Sequence, residues 1–149
     1  MIGLTSNPWA SGSILMVMVY MGGHISGAHY NPAVKLAVLM RKNKRKEAAF
    51  YMLFQVVGGV LGALVAYLFQ KHTFAPALGL QVSITNALLI ELIFTFALAT
   101  VVLNVATTKA TSGNNYFGLA IGFTAFVAAM AGGASQVVHS ILPLDWGHA

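Results

Sequence analysis

The chain has 149 residues, of which 58% are apolar and only 7% carry a charge. Because a soluble globular domain carries roughly 25% charged residues, this composition argues against a soluble enzyme, and such apolar content excludes a disordered chain. The sequence contains no cysteine, which excludes disulfides, thiolate metal sites and cysteine nucleophiles. The length suits four or five membrane spans of about 20 residues, so we expect a polytopic all-α membrane protein.

Four uncharged or nearly uncharged segments predict membrane spans, namely residues 9–23, 48–70, 83–107 and 116–133. No Lys or Arg precedes the first segment, so a signal peptide is not favoured. Within 48–70, small residues recur four positions apart, at Gly58 and Gly62 among others. This spacing predicts close packing against another helix. The tail at 135–149 does not have the pattern of a full span.

The positive charge is concentrated in one place. Five of the eight Lys and Arg residues lie in the run 41–46, between two apolar stretches. The positive-inside rule predicts that such a run is a cytoplasmic loop, and it is compatible with anionic lipids. The polar segment 108–115, which contains Lys109, is expected on the same side, because two spans separate it from the first loop. A nucleic-acid partner is not expected.

The segment HISGAHYNPAV, residues 24–34, follows the first span directly. Asn31 is a favoured N-cap and Pro32 a favoured first helical residue, which predicts a short helix over residues 32–40. This helix is too short to cross a bilayer, and non-helical backbone at membrane depth must be buried in protein or line a water-filled cavity. We therefore expect a re-entrant half-helix beside a pore.

This segment contains groups suited to a small neutral solute. The Asn31 side-chain oxygen can cap the helix, which leaves its NH₂ group free to donate to a solute. The positive end of the helix dipole repels cations. An extended backbone predicts a row of carbonyl acceptors along the pore, from Gly27, Ala28, His29 and Tyr30.

The segment SGAHYNPAV after an apolar helix resembles the first signature loop of the aquaporins, also called major intrinsic proteins. Matches in the later spans support the resemblance, at Tyr51, Gln55, Glu91 with Thr95, and residues 119–122. It implies a helical bundle of aquaporin type in which Asn31, Pro32 and Ala33 form the first of two central motifs. His29 either orients the loop through buried hydrogen bonds or is a buried histidine without contact to solute.

The resemblance also implies roles for two polar side chains in the spans. Glu91 corresponds to a buried carboxylate that holds the second signature loop, and Gln55 to a side chain that makes interhelical hydrogen bonds. The filter-equivalent positions are Ser11 and Ala129. Both residues are small, which favours a wide opening that admits solutes such as glycerol.

The sequence departs from the family template at both ends. It has no second Asn-Pro-Ala motif, and the template's first and sixth helices have no counterpart. We therefore expect a chain truncated at both ends, with an incomplete inverted repeat and a divergent tail.

Two functions follow from these expectations. The first is a passive channel for water or small neutral solutes, with neither enzymatic activity nor a cofactor or metal. It would lie in a lipid bilayer as a homotetramer or in assemblies with full-length relatives. The alternative is a non-conducting subunit that modulates such relatives or fails to complete their complexes.

Overall fold

The structure, a computed structural model, describes residues 7–42, 45–70, 74–78, 83–132 and 136–140. These residues form five α-helices: α1 (Pro8–Ser26), α2 (Pro32–Lys42), α3 (Arg45–Gln70), α4 (Ile84–Thr107) and α5 (Phe117–Gly132). A 3₁₀ turn, Lys109–Thr111, follows α4, and two short strands, β1 (Phe74–Leu78) and β2 (Gln136–Ser140), complete the fold. The predicted helical bundle is confirmed, with a two-stranded ribbon that the sequence did not predict.

The four predicted spans fall on α1, α3, α4 and α5, and the predicted short helix falls on α2. Two stretches, Ala48–Phe69 and Ile84–Thr107, are long and apolar enough to cross a membrane, with mean hydropathies of 2.1 and 2.3. Almost none of their side chains are buried within the chain. Exposed apolar helices of this length are stable in lipid, where the surrounding solvent is itself apolar.

The antiparallel helices α1 and α5 make the closest contact of the bundle, and two glycines permit it. A β-carbon added at Gly12 would lie 2.8 Å from the Gly122 carbonyl oxygen, and one added at Gly122 would lie 2.7 Å from the Gly12 carbonyl oxygen. The sequence instead predicted close packing at the glycines of α3. In the described part of the chain, an added β-carbon at Gly58 or Gly62 meets nothing within 4 Å.

The first turn of α5 is held by a tyrosine from α1. The Tyr20 hydroxyl donates to the Asn115 carbonyl oxygen over 2.8 Å and accepts from the Leu119 N–H over 3.2 Å. Backbone N–H groups in the first turn of a helix have no partner within the helix. Tyr20 thus provides one of these groups with an acceptor and ties α5 to α1.

The buried core lies where α1, α2, α4 and α5 meet. It consists of five β-branched side chains, Val19, Val34, Val38, Val102 and Ile121. Two of them belong to α2, so the short helix is packed inside the bundle. This position places the residues before α2 next to the bundle interior.

The two strands pair antiparallel, with Phe74 opposite Ser140 and Leu78 opposite Gln136. The ribbon joins the connection between α3 and α4 to the segment after α5. Two predicted spans, now α4 and α5, separate these two segments, so the predicted topology places both on the same side of the membrane. Several parts of the predicted segments lie outside the described residues, namely 43–44 of the basic loop, 71–73 and 79–82 between α3 and α4, 133–135 after α5, and 141–149 of the tail.

Candidate functional site

The chain reverses direction immediately after α1. Gly27 caps this helix in the left-handed conformation, with φ of 77°, and Ala28 follows with φ of 52°. Ala28 is the one described non-glycine residue with a positive φ. Such residues carry backbone strain and concentrate at functional sites. The Tyr30 N–H then donates to the Ala28 carbonyl oxygen over 3.0 Å, which closes a tight turn.

The segment that leads to α2 runs back alongside α1. The Tyr30 hydroxyl donates to the Met18 carbonyl oxygen over 3.0 Å, about two helical turns before the end of α1. At the other end of α2, Arg41 Nη1 donates to the Leu103 carbonyl oxygen near the end of α4. The N-terminus of α2 therefore lies inside the bundle, and its C-terminus lies at the end where α1 and α4 also finish.

Asn31 caps α2 through its side chain. Its Oδ1 accepts a hydrogen bond from the Ala33 N–H over 2.8 Å, and its carbonyl oxygen accepts from the Lys35 N–H over 3.0 Å. Asn is a preferred N-cap and Pro32 occupies the first helical position, where its missing N–H is not needed. Because the oxygen is used by the cap, the NH₂ group of Asn31 is the part that can face a solute.

Helix α3 holds the turn between α1 and α2 through two hydrogen bonds and one ring contact. The Tyr51 hydroxyl donates to the Ser26 carbonyl oxygen over 2.8 Å, and Gln55 Nε2 donates to the His29 carbonyl oxygen. The imidazole ring of His29 meets the Tyr51 ring edge to face, with the centroids 5.9 Å apart. Gln55 therefore donates a hydrogen bond to the turn and not to another helix. Only the tertiary structure reveals this role.

One cavity of about 1220 Å³ runs along the bundle interior beside this turn. Ser11 and Ala129 lie at one end, where α1 begins and α5 finishes. Gly27, Thr107 and Asn114 lie toward the other end, where α1 and α4 finish. Since sixteen helical residues at 1.5 Å each separate Ser11 from Gly27, the cavity is roughly 24 Å long.

The cavity brings together most of the residues that the sequence singled out, which are Ser11, Gly27, Ala28, His29, Tyr30, Asn31 and Ala129. Pro32 and Ala33 are not among its lining residues; they form the first turn of α2 behind Asn31. The expectation that Glu91 is buried is wrong for the described chain, since Glu91 is exposed on α4.

The expected row of carbonyl acceptors is partly engaged by the protein. The Ala28 carbonyl oxygen accepts from the Tyr30 N–H, and the His29 carbonyl oxygen accepts from Gln55. A carbonyl oxygen has two lone pairs, so each can still accept one further hydrogen bond. The turn therefore offers a solute fewer free lone pairs than four unengaged carbonyl groups would, but it holds these acceptors in fixed positions.

The sequence did not predict the polar end of the cavity. Six polar side chains line it there: Thr107, Thr108, Lys109, Thr111, Ser112 and Asn114. Asn114 Nδ2 donates to the Val105 and Thr111 carbonyl oxygens, over 2.7 and 2.5 Å, which shapes this end. The sequence indicated only that these residues form a polar loop. It did not indicate that they line a cavity, because that position depends on the packing of α4 against α5.

Comparison with known proteins gives consistent matches. The sequence model described as "Major intrinsic protein" matches residues 1–138. Aquaporin-4 of Mus musculus is 35% identical over 119 residues, which is 76% of this chain and 37% of that protein. NIP4-1 of Arabidopsis thaliana is 37% identical over 132 residues, which is 84% of this chain and 46% of that protein. The chain therefore spans less than half the length of these relatives.

Proposed function

Because the chain belongs to the major intrinsic protein family, we propose that it forms the wall of a passive membrane channel for water or small neutral solutes. The family comprises passive channels, so the chain is not an enzyme. Membership also makes it an integral membrane protein. We further propose that α1, α3, α4 and α5 cross the bilayer, with residues 41–46 and 108–115 on the cytoplasmic side.

The capped N-terminus of α2 beside the cavity carries this proposal. Asn31 lines the cavity, and its Oδ1 is held by the Ala33 N–H. Its NH₂ group is then the donor available to a passing molecule, while Ala28 and His29 supply acceptors beside it. A molecule that gives up its hydrogen bonds to water must replace them with bonds to this donor and these acceptors. It must therefore be small and able both to donate and to accept hydrogen bonds.

The same geometry disfavours cations. The N-terminus of a helix carries roughly half a positive elementary charge, and the short α2 directs it at the cavity interior. Lys109 adds a cation at the polar end of the cavity. Water, polyols and other neutral hydrogen-bonding solutes are not repelled by these charges. We therefore propose that transport is limited to neutral species.

The width of the cavity favours solutes larger than water. A single file of water in a 24 Å path, at about 30 Å³ for each molecule, occupies roughly 250 Å³, whereas the cavity, which the described chain encloses only in part, measures about 1220 Å³. The small side chains of Ser11 and Ala129 leave the cavity open at the end where α1 begins and α5 finishes. We propose that glycerol or a solute of similar size is admitted, and that the chain acts in a homotetramer or with full-length relatives.

The same width supports a second candidate. A cavity several times larger than a single file lacks the tight contacts that replace hydration, so this chain alone would not conduct selectively. It would then act as a non-conducting subunit that modulates relatives or leaves their complexes incomplete. The two candidates differ in what the purified chain does by itself.

Stopped-flow light scattering of vesicles containing the purified chain tests the proposal. A channel gives faster osmotic shrinkage than empty vesicles, and glycerol uptake is also accelerated. Rates equal to those of empty vesicles would reject conduction by this chain alone. Co-reconstitution with a full-length relative would then test the second candidate, which requires a change in the rate measured for that relative.

A further inference from the structure

Lys35 is a buried cation on α2, four residues after Asn31. Its side chain is 6% exposed, and among the described side chains it is the one buried charged group. Taking an ammonium group out of water costs several kcal/mol unless polar or π-electron groups replace the water. An ionisable group at such a position is more often functional than incidental.

An aromatic ring is one of the groups that stabilise this charge. Lys35 Nζ lies 3.6 Å from the centroid of the Tyr51 ring. A cation at this distance from an aromatic face is attracted by the negative potential of the ring, and the attraction is strongest where water is excluded. Lys35 thus joins α2 to α3 through a directed contact.

Tyr51 connects this contact to the cavity. Its hydroxyl donates to the Ser26 carbonyl oxygen, and its ring meets the His29 imidazole edge to face. Ser26 and His29 lie on either side of Gly27 and Ala28, which both have a positive φ and both line the cavity. A displacement of the Tyr51 ring therefore changes two of the contacts that hold the turn.

We propose that Lys35 is a positioning residue: its ammonium group fixes the Tyr51 ring, and Tyr51 fixes the turn whose carbonyl groups line the cavity. Selection between solutes then depends on the cation at position 35, although Lys35 is not a lining residue. The effect on solutes rests on the proposed function. The effect on the turn does not.

Two variants separate the role of the charge from that of the side-chain volume. Lys35→Arg retains a cation that stacks on aromatic rings. Lys35→Met retains a long unbranched chain without the charge. If Lys35 only fills space, Met serves as well as Lys. If the cation positions Tyr51, Arg preserves the turn and Met does not.

The turn is measured directly by NMR of the full chain in nanodiscs, using the carbonyl ¹³C signals of Ser26 and His29. We expect Lys35→Met to move both signals and Lys35→Arg to leave them close to wild type. Leu36→Met introduces the same side chain at an exposed position of the same helix and should leave both signals in place. Unchanged signals in Lys35→Met, or equal changes in both Lys35 variants, would overturn the proposal.

Loss of folding in Lys35→Met would still be informative. The proposal then requires Lys35→Arg to fold as wild type does, and its failure to fold would count against a role for the cation. Tyr51→Phe supplies a further check, because it keeps the ring beneath Lys35 but removes the hydroxyl. It should move the Ser26 carbonyl signal more than the His29 imidazole signals, and the reverse order would also contradict the proposal.

The transport arm uses the ratio of glycerol to water permeability in vesicles. We expect Lys35→Met to change this ratio by about twofold or more, with Lys35→Arg near wild type. A wild-type chain that does not conduct would reject the proposed function, while the NMR arm would still decide the role of Lys35. An unchanged ratio in a conducting Lys35→Met variant would overturn the effect on selection.

Discussion

The phenol oxygen of Tyr30 occupies the space that a β-carbon at Gly22 would need. The same oxygen donates to the Met18 carbonyl oxygen over 3.0 Å. One hydrogen bond and one missing side chain thus hold the returning segment against α1. The contact fixes the depth at which Asn31 enters the bundle, so the helix that precedes the turn determines the position of the cap that follows it.

The Gly22→Ala variant tests this contact. The added methyl group displaces Tyr30 and breaks its bond to Met18, and overpacking of this kind costs about 1–3 kcal/mol. We expect a lower free energy of unfolding in detergent. Gly62→Ala is the matched control, since an added β-carbon there meets no described atom within 4 Å. It should be neutral or slightly stabilising, because Ala favours helix. Equal stability of the two variants would contradict the contact.

The Asn31→Asp variant separates capping from donation. Asp caps a helix about as well as Asn, so the bond from the Ala33 N–H is retained while the NH₂ donor is lost. We expect water permeability to fall about two- to tenfold, the effect of one hydrogen bond. The permeability to cations relative to anions, measured from the reversal potential, should rise because a carboxylate offsets the positive end of the helix dipole. Asn104→Asp, on the exposed side of α4, is the control. Unchanged fluxes in Asn31→Asp would remove the donor role.

The Ser11→Phe variant tests whether the open end of the cavity sets solute size. A phenyl ring at this position narrows the space between α1 and α5 opposite Ala129. Glycerol uptake should fall several-fold more than water permeability, because the larger solute needs the wider opening. Ser13→Phe places the same ring on an exposed position of α1, and its permeability ratio should match wild type. A proportional loss of both solutes in Ser11→Phe would argue against a filter at this position.

The Tyr20→Phe variant tests the link between α1 and α5. It removes the bonds to Asn115 and Leu119 but keeps the ring packed against Gly118. Since a hydrogen bond contributes about 0.5–1.5 kcal/mol, we expect a loss of about 1–2 kcal/mol for the two bonds. Hydrogen exchange at the Leu119 amide should accelerate. Tyr67→Phe, on the exposed surface of α3, should leave that amide unchanged. Slow exchange at Leu119 in Tyr20→Phe would mean that another group satisfies it.

The features that the sequence predicted well depend on local chemistry. The cap at Asn31 and the helix start at Pro32 need only neighbouring residues, because the side chain bonds a backbone group two positions away. The spans depend on hydrophobicity over about 20 residues, which is also local. Helix bounds and the cap position were therefore accessible without any knowledge of packing.

The features that the sequence did not predict depend on which helices meet. Gly58 and Gly62 of α3 lie four residues apart and so predicted a helix contact, but the described glycines that face another helix lie on α1 and α5, Gly12 and Gly122 among them. Gln55 was assigned to an interhelical bond. Its partner in the structure is instead the His29 carbonyl oxygen, 26 residues away in sequence, which local patterns do not reveal. Glu91 was expected to be buried, but it is exposed on α4. Burial and pairing follow from tertiary contacts that no single segment encodes.

The ribbon of β1 and β2 has a consequence for the order in which the molecule is completed. Phe74 emerges from the ribosome well before Ser140, its partner in the ladder. The first strand must therefore wait, with its backbone groups unpaired, while α4 and α5 are synthesised. Closing so long a loop is entropically costly until the intervening helices have met. The pairing of these strands is thus a late step in assembly, and it requires that α5 has already packed against α4 and α1.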